Sequence, residues 1–107
     1  MQRLGTILLF LTLTFFAKVS YADTEKLQTL LQRNNCTACH MIDKRKYGPK
    51  LIEIAAKYAD DAGAVKRLAA KIKAGGTGVW GEDIMPPQPH VSDADALTLA
   101  EYILALK

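Results

Sequence analysis

The pentapeptide CTACH, residues 36–40, constrains this chain more than any other feature. It holds both cysteines of the 107-residue sequence and one of its two histidines. Two thiols three residues apart lie on one side of a helical turn, so both can bind the same group. Four uses fit such a pair: a thioredoxin-like redox site, part of a zinc site, a structural disulfide, and an attachment site for a larger group.

Residues 1–22 have the pattern of a secretory signal peptide. Arg3 gives a positive start, residues 4–17 form an apolar run without charge, and small residues follow at 20 and 22. The run has 14 residues, fewer than the roughly 20 that a membrane-spanning helix needs. We therefore predict cleavage after Ala22, export from the cytoplasm, and a folded domain over residues 23–107. An uncleaved membrane anchor is the alternative.

The charge and size of the remaining domain limit its function. Cleavage would remove two of the 14 basic residues and none of the 11 acidic ones, which leaves 12 basic residues and a net charge of +1. A nucleic-acid-binding domain would be strongly basic, so we expect no nucleic-acid partner. A domain this small often depends on a metal, disulfides or a cofactor. One disulfide within residues 36–39 would close a very short loop and constrain the unfolded chain little, so a bound cofactor is favoured.

The pattern after residue 22 predicts an all-α fold, because apolar residues recur at helical spacing and no window alternates like a strand. The boundary signals for four helices are Asp23 or Thr24, Asn34-Asn35, Pro49, Gly75-Gly76 and Ser92. In the last helix we expect a buried face of Leu97, Ala100, Ile103 and Leu104, widened by Leu99, Tyr102 and Leu106. Residues 75–91 form a long loop rich in glycine and proline, which we expect to be ordered and to cover something apolar.

The Cys-x-x-Cys-His pattern of residues 36–40 is typical of covalent haem attachment. Both thiols can form thioethers with the vinyl groups on one edge of a porphyrin, and His40 follows directly, so its imidazole can reach the iron. A thioredoxin-like pair would lie between a strand and a helix. A zinc site would need four ligands and would have to use His90 as well. A disulfide gives His40 no role. We favour haem, with these three as alternatives.

An iron that only carries electrons needs a second axial ligand. Methionine opposite histidine is the pairing of electron-transfer cytochromes c. Met1 would leave with the signal peptide, and Met41 adjoins His40 and cannot reach the other face of the ring. Met85, in the long loop, is therefore the predicted ligand, and His90 is the alternative.

With these motifs in place, the chain resembles the short class I cytochromes c of the bacterial periplasm, which are single-haem electron carriers. The resemblance covers essentially the whole domain, and the matching segments are CTACH at 36–40, GP at 48–49, GVWG at 78–81, MPP at 85–87 and VSD at 91–93. It implies the class I cytochrome c fold, with about four helices around one covalently bound haem c. It also implies a periplasmic monomer that is not an enzyme.

The resemblance further assigns the site residues. It implies haem c attached through Cys36 and Cys39, with the iron bound by His40 and Met85. It implies that the Pro49 carbonyl accepts a hydrogen bond from Nδ1 of the ligand histidine. It also implies that Trp80 and Lys71 donate to a haem propionate, and that the Gln88 amide contacts the region of the ligand sulfur.

The resulting hypothesis is an electron shuttle between redox proteins such as a nitrite reductase, a cytochrome c peroxidase, a terminal oxidase or a quinol-oxidising complex. Four basic residues follow the attachment site and could steer acidic partner surfaces: Lys44, Arg45, Lys46 and Lys50. A solvated charged turn is the alternative for this cluster. Two other functions stay open at this point, a haem-based sensor or enzyme with a dissociable Met85 ligand, and a zinc or thiol module without haem.

Overall fold

The structure is a computed structural model that describes residues 21–107, so the predicted signal peptide lies outside the described residues except for Tyr21 and Ala22. This part of the chain contains four α-helices, which are α1 (Tyr21–Arg33), α2 (Leu51–Lys57), α3 (Ala64–Ala74) and α4 (Asp93–Leu104). A short 3-10 turn, Cys36–Ala38, follows α1. Within these residues there is no strand, and the prediction of an all-α fold is confirmed. Residues 21–107 include no helix with the length and apolarity needed to cross a membrane.

Helix α4 is the centre of the fold and packs against the other three helices. Its buried side chains recur at spacings of three and four along one face, at Ala96, Leu99, Ala100 and Ile103. Leucines from α1 and α2, together with Ala69 of α3, complete this core. The prediction that Leu97 belongs to the buried face is wrong, because Leu97 is 42% exposed whereas Leu99 is 1% exposed. Apolar residues occur on several sides of α4, so the sequence does not fix which side faces inward.

The helix ends follow the boundary signals with one exception. Ser92 caps α4 as predicted, and its Oγ accepts a hydrogen bond of 3.0 Å from the backbone N–H of Asp95. However, α1 begins at Tyr21, before the predicted cap, since Tyr21 and Ala22 are compatible with a helix. The sequence allowed Pro49 either in a turn or at the first position of the second helix, and the structure has it outside the helix, because Lys50 is the N-terminal cap of α2.

A buried asparagine joins the end of α1 to the start of α4. Asn34 is 6% exposed, and its Nδ2 donates to the carbonyl of Leu30 at 3.0 Å and to the carboxylate of Asp95 at 3.2 Å. The Arg33 guanidinium donates to both carboxylate oxygens of Asp95, at 2.8 and 2.7 Å. These hydrogen bonds hold the pKa of Asp95 below its ordinary value. The network fixes the point at which the Cys36–Ala38 turn leaves α1.

Candidate cofactor site

A solvent-open cleft lies between the helices and the loop of residues 75–91. All four helices contribute apolar side chains to its wall, among them Leu31, Ile54, Leu68, Ile72, Leu99 and Ile103. The cleft brings together all eight residues that the sequence nominates: Cys36, Cys39, His40, Pro49, Lys71, Trp80, Met85 and Gln88.

The two cysteines lie on a single turn of the backbone. The amides of Cys39 and His40 both donate to the carbonyl of Cys36, at 3.2 and 3.0 Å. Both thiols are half-buried at the cleft wall, and they do not form a disulfide. Two free sulfur atoms and an imidazole are therefore presented to the same space by three neighbouring residues.

The His40 ring is held from two directions. Its Nδ1 is 3.0 Å from the carbonyl oxygen of Pro49. Because a nitrogen facing a carbonyl must carry the proton, Nε2 keeps the lone pair that a metal ligand needs. On another side the ring packs against Gly48, where an added Cβ would lie 2.5 Å from the ring Cε1. Gly48 therefore has no room for a side chain. Gly48 and Pro49 together hold the His40 ring, one by close packing and the other through its carbonyl.

The Met85 backbone is pinned to the end of α3. Met85 and Gly76 exchange two backbone hydrogen bonds of 2.8 and 2.9 Å. The neighbouring Gly75 has φ of +67°, and a Cβ there would collide with the Met85 carbonyl and lie 2.7 Å from the Pro86 carbonyl carbon. Only glycine allows this close approach. The thioether of Met85 is thus delivered to the cleft by a well-anchored stretch of the loop.

Trp80, Lys71 and Gln88 also line the cleft, and they differ in which of their polar groups already have a partner. Within residues 21–107, the Trp80 indole N–H has no hydrogen-bond partner and the Lys71 ammonium has no ion pair. The side-chain amide of Gln88 donates to the Pro86 carbonyl at 3.1 Å, and its backbone N–H donates to the Lys73 carbonyl at 2.9 Å. A contact between Gln88 and the Met85 sulfur therefore stays a prediction.

The alternative readings of the cysteine pair find no support in this geometry. In the part of the chain that the structure describes, no three His, Cys, Asp or Glu side chains gather to hold a metal. His90, which a zinc site would need, does not line the cleft, and its Nε2 lies 3.1 Å from the Asn34 carbonyl. Burial raises the pKa of the Cys36 thiol. Redox-active cysteines need the opposite shift, which favours the thiolate.

Helices around one apolar cleft, with a Cys-x-x-Cys-His turn on its wall, define a c-type cytochrome. Residues 25–107 match the family model described as cytochrome c, and the chain belongs to this family. It is 55% identical to cytochrome c-552 of Nitrosomonas europaea over 78 residues, which are 73% of this chain and 76% of that one. It is 41% identical to cytochrome c-551 of Pseudomonas aeruginosa over the whole of both chains.

A solved structure agrees with this assignment. The crystal structure of wild-type Nitrosomonas europaea cytochrome c552 matches with a TM-score of 0.73 and 54% identity, covering 75% of this chain and 99% of that chain. The resemblance to the small class I cytochromes c and the fold that it implies are confirmed. The protein transfers electrons by means of a c-type haem and is an electron carrier rather than an enzyme.

The cofactor of this family, haem c, fits the cleft on its own chemistry. The two free thiols can form thioether bonds, Nε2 of His40 can bind iron, and the Met85 thioether is a further soft donor. The apolar wall suits the porphyrin, while Lys71 and Trp80 offer donors for its carboxylates. Haem c, attached through Cys36 and Cys39, is therefore the cofactor of this chain.

Proposed function

We propose that this chain is a monomeric periplasmic electron carrier in which His40 and Met85 together ligate the haem iron. The observation that carries the proposal is that both side chains line one cleft, each on a backbone fixed by hydrogen bonds. The predicted signal peptide supports a periplasmic location. When bound, haem supplies a one-electron iron couple.

The residues around this site have separate tasks. The thiols of Cys36 and Cys39 hold the ring, and Nε2 of His40 binds the iron from the same turn. The Pro49 carbonyl, 3.0 Å from Nδ1, fixes the imidazole plane and makes it a better donor. The Met85 thioether raises the reduction potential relative to a harder ligand.

A sensor would need Met85 to leave the iron and open a binding site. The two backbone hydrogen bonds between Met85 and Gly76 oppose that movement, which favours the carrier. The test is to add carbon monoxide to the reduced protein. We expect no rapid carbon monoxide complex in the wild type and a ready complex in Met85→Ala, which is the positive control. A rapid, stoichiometric complex of the wild type would contradict the proposal and favour the sensor.

The basic cluster after the attachment site is proposed to meet the redox partner. Arg45 and Tyr47 line the cleft, so this segment borders its opening. The Lys46 ammonium donates to the Thr37 carbonyl at 3.1 Å. Lys50 lies 3.8 Å from a carboxylate oxygen of Glu53, which offsets its charge.

Lys44 and Arg45 are exposed, and neither makes an ion pair with another residue of 21–107. We propose that these two cations carry most of the attraction to an acidic redox protein, such as a nitrite reductase, a cytochrome c peroxidase, a terminal oxidase or a quinol-oxidising complex. Redox encounters use small, short-lived interfaces, so steering by charge would matter more than buried area.

A further inference from the structure

Lys57, the last residue of α2, lies over two aromatic rings. Its Nζ is 5.6 Å from the centroid of the Trp80 ring and 5.9 Å from that of Tyr58. Both distances fall within the range of about 6 Å at which a cation is attracted to a ring face, and tryptophan is the best partner. Both rings line the cleft and Lys57 does not, so its ammonium meets them from outside the cleft.

The segment that carries Trp80 has few other ties to the helices. The Thr77 hydroxyl donates to the carbonyls of Glu82 at 3.0 Å and Asp83 at 3.3 Å, and the Gly78 amide donates to Gly81 at 3.0 Å. Within residues 21–107, every hydrogen bond of the segment 77–84 stays inside that segment, and none of its residues forms an ion pair. Among the residues that the structure describes, the Lys57 contact is therefore the one polar tie between the tip of this segment and a helix.

We propose that Lys57 is a positioning residue that holds the Trp80 indole against the end of α2. It thereby sets where the indole N–H sits at the cleft wall. This N–H is a donor without a partner among residues 21–107. The inference rests on the proposed function, because the group that the N–H would serve is an anionic carboxylate of the bound haem.

Lys57 would also act through its charge. A cation beside the cleft opposes the extra positive charge of oxidised iron, so it favours the reduced form. Removal of the ammonium should then loosen the indole and shift the redox equilibrium toward the oxidised form. A residue that merely supported the fold would not produce both effects together.

The test compares Lys57→Gln, Lys57→Arg and Lys66→Gln in the haem-bound protein. Lys57→Arg keeps a cation that can stack on the rings. Lys66→Gln removes the same charge from an exposed position on α3 that does not line the cleft. Because the chain has one tryptophan, the indole N–H gives a single, unambiguous resonance in the reduced, nitrogen-15-labelled protein. Its hydrogen-exchange rate and the redox equilibrium against a reference couple are measured for each variant.

In Lys57→Gln we expect the indole N–H to exchange about two- to fivefold faster, which is the loss expected for an exposed cation–π contact. The redox equilibrium should shift toward the oxidised form, while Lys57→Arg retains wild-type values and Lys66→Gln changes neither quantity. The inference is overturned if Lys57→Gln matches the wild type, if Lys57→Arg fails to restore both values, or if Lys66→Gln shifts them equally. Failure of the proposed function would instead appear in the wild type itself, as the lack of methionine-bound iron.

Discussion

Nδ1 of His40 lies 3.0 Å from the carbonyl oxygen of Pro49, and this contact joins the turn that bears the two thiols to the entrance of α2. The acceptor belongs to the backbone, so its position depends on the path of residues 41–50 rather than on the proline side chain. That path doubles back, because the Gly48 amide donates to the carbonyl of Cys39 at 2.8 Å and the Leu51 amide donates to the carbonyl of Met41 at 3.0 Å. The orientation of the imidazole is therefore a property of this loop.

Gly48→Ala tests the loop as a support for His40. The new methyl group would lie 2.5 Å from the ring Cε1, so the ring or the loop must move. We expect the free energy of unfolding of the haem-bound protein to fall by about 1–3 kcal/mol, as for other overpacked sites. Pro49→Ala keeps the carbonyl and should cost less. Denaturant unfolding measures both variants, and a Gly48→Ala protein as stable as the wild type would refute this account of His40.

Gly75→Ala tests the anchoring of Met85. A Cβ at this position collides with the Met85 carbonyl, and the φ of +67° adds backbone strain. We expect a loss of about 1–3 kcal/mol in the free energy of unfolding, together with weakened binding of the Met85 sulfur to ferric iron. Gly78→Ala is the matched control, since its φ is +98° but its Cβ would meet nothing within 4 Å. It should lose stability and keep the sulfur bound, as measured by denaturant unfolding and by the red absorption of the ferric protein. Equal loss of the sulfur in both variants would argue against steric anchoring.

Asp95 should make the stability depend on pH. Hydrogen bonds from Arg33 and Asn34 lower its pKa in the folded protein. A carboxylate with a lowered folded pKa stabilises the fold above its ordinary pKa of about 3.9 and loses that contribution as the pH falls through the folded value. Asp95→Asn should therefore be less stable than the wild type at pH 7 and equally stable in strong acid. Thermal unfolding of both proteins from strong acid to pH 7 measures this difference in stability. Asp43→Asn, which removes an exposed carboxylate, is the control.

Salt provides a second check on the same residue pair. The Arg33 side chain is 59% exposed, so solvent and ions screen its attraction to the carboxylate. The stability difference between Asp95→Asn and the wild type should shrink as salt is added at pH 7. A difference that does not vary with pH or salt would show that Asp95 acts only as a neutral hydrogen-bond acceptor.

Lys44→Glu combined with Arg45→Glu tests the docking proposal. Reversal of these two exposed cations, which lie in the segment that borders the cleft opening, should slow electron transfer from an acidic redox partner about tenfold at low ionic strength, since steering changes association rates by 10–10³. The dependence of the rate on salt should flatten. Lys50→Glu should have a smaller effect, because Lys50 is already beside Glu53. Stopped-flow rates over a range of salt concentrations measure all three proteins, and an unchanged rate at low salt would exclude the proposal.

Local chemistry made several features predictable from the sequence. The Ser92 cap, the end of α1 before Asn35, and the end of α3 before Gly75 follow from side-chain and backbone preferences that act over a few residues. Asn35 indeed adopts a left-handed conformation, with φ of 60°. The spacing of residues 36–40 also predicted the haem, because two thiols and an imidazole on one turn leave few other uses.

Features that depend on tertiary contacts could not be predicted in this way. Pro49 carries a helix-start signal, yet it lies in the loop before α2, and only the resemblance to the cytochromes c indicated that its carbonyl faces His40. Asn34 was a helix-end signal only, and its burial between α1 and α4 depends on where Asp95 lies. Nothing near Lys57 indicates that it meets an aromatic ring 23 positions later. These contacts arise from packing between distant segments, for which a single sequence has no periodic signal.

The central proposal, that Met85 and His40 would together bind the iron, is tested most directly by the absorption of the ferric protein. Methionine sulfur on ferric haem gives a weak charge-transfer band in the red. We predict this band in the wild type and in Met41→Ala, whose side chain is exposed and lies outside the cleft, and its loss in Met85→Ala with the haem still attached. A haem-bearing wild type without the band, or a band that survives in Met85→Ala, would contradict the account.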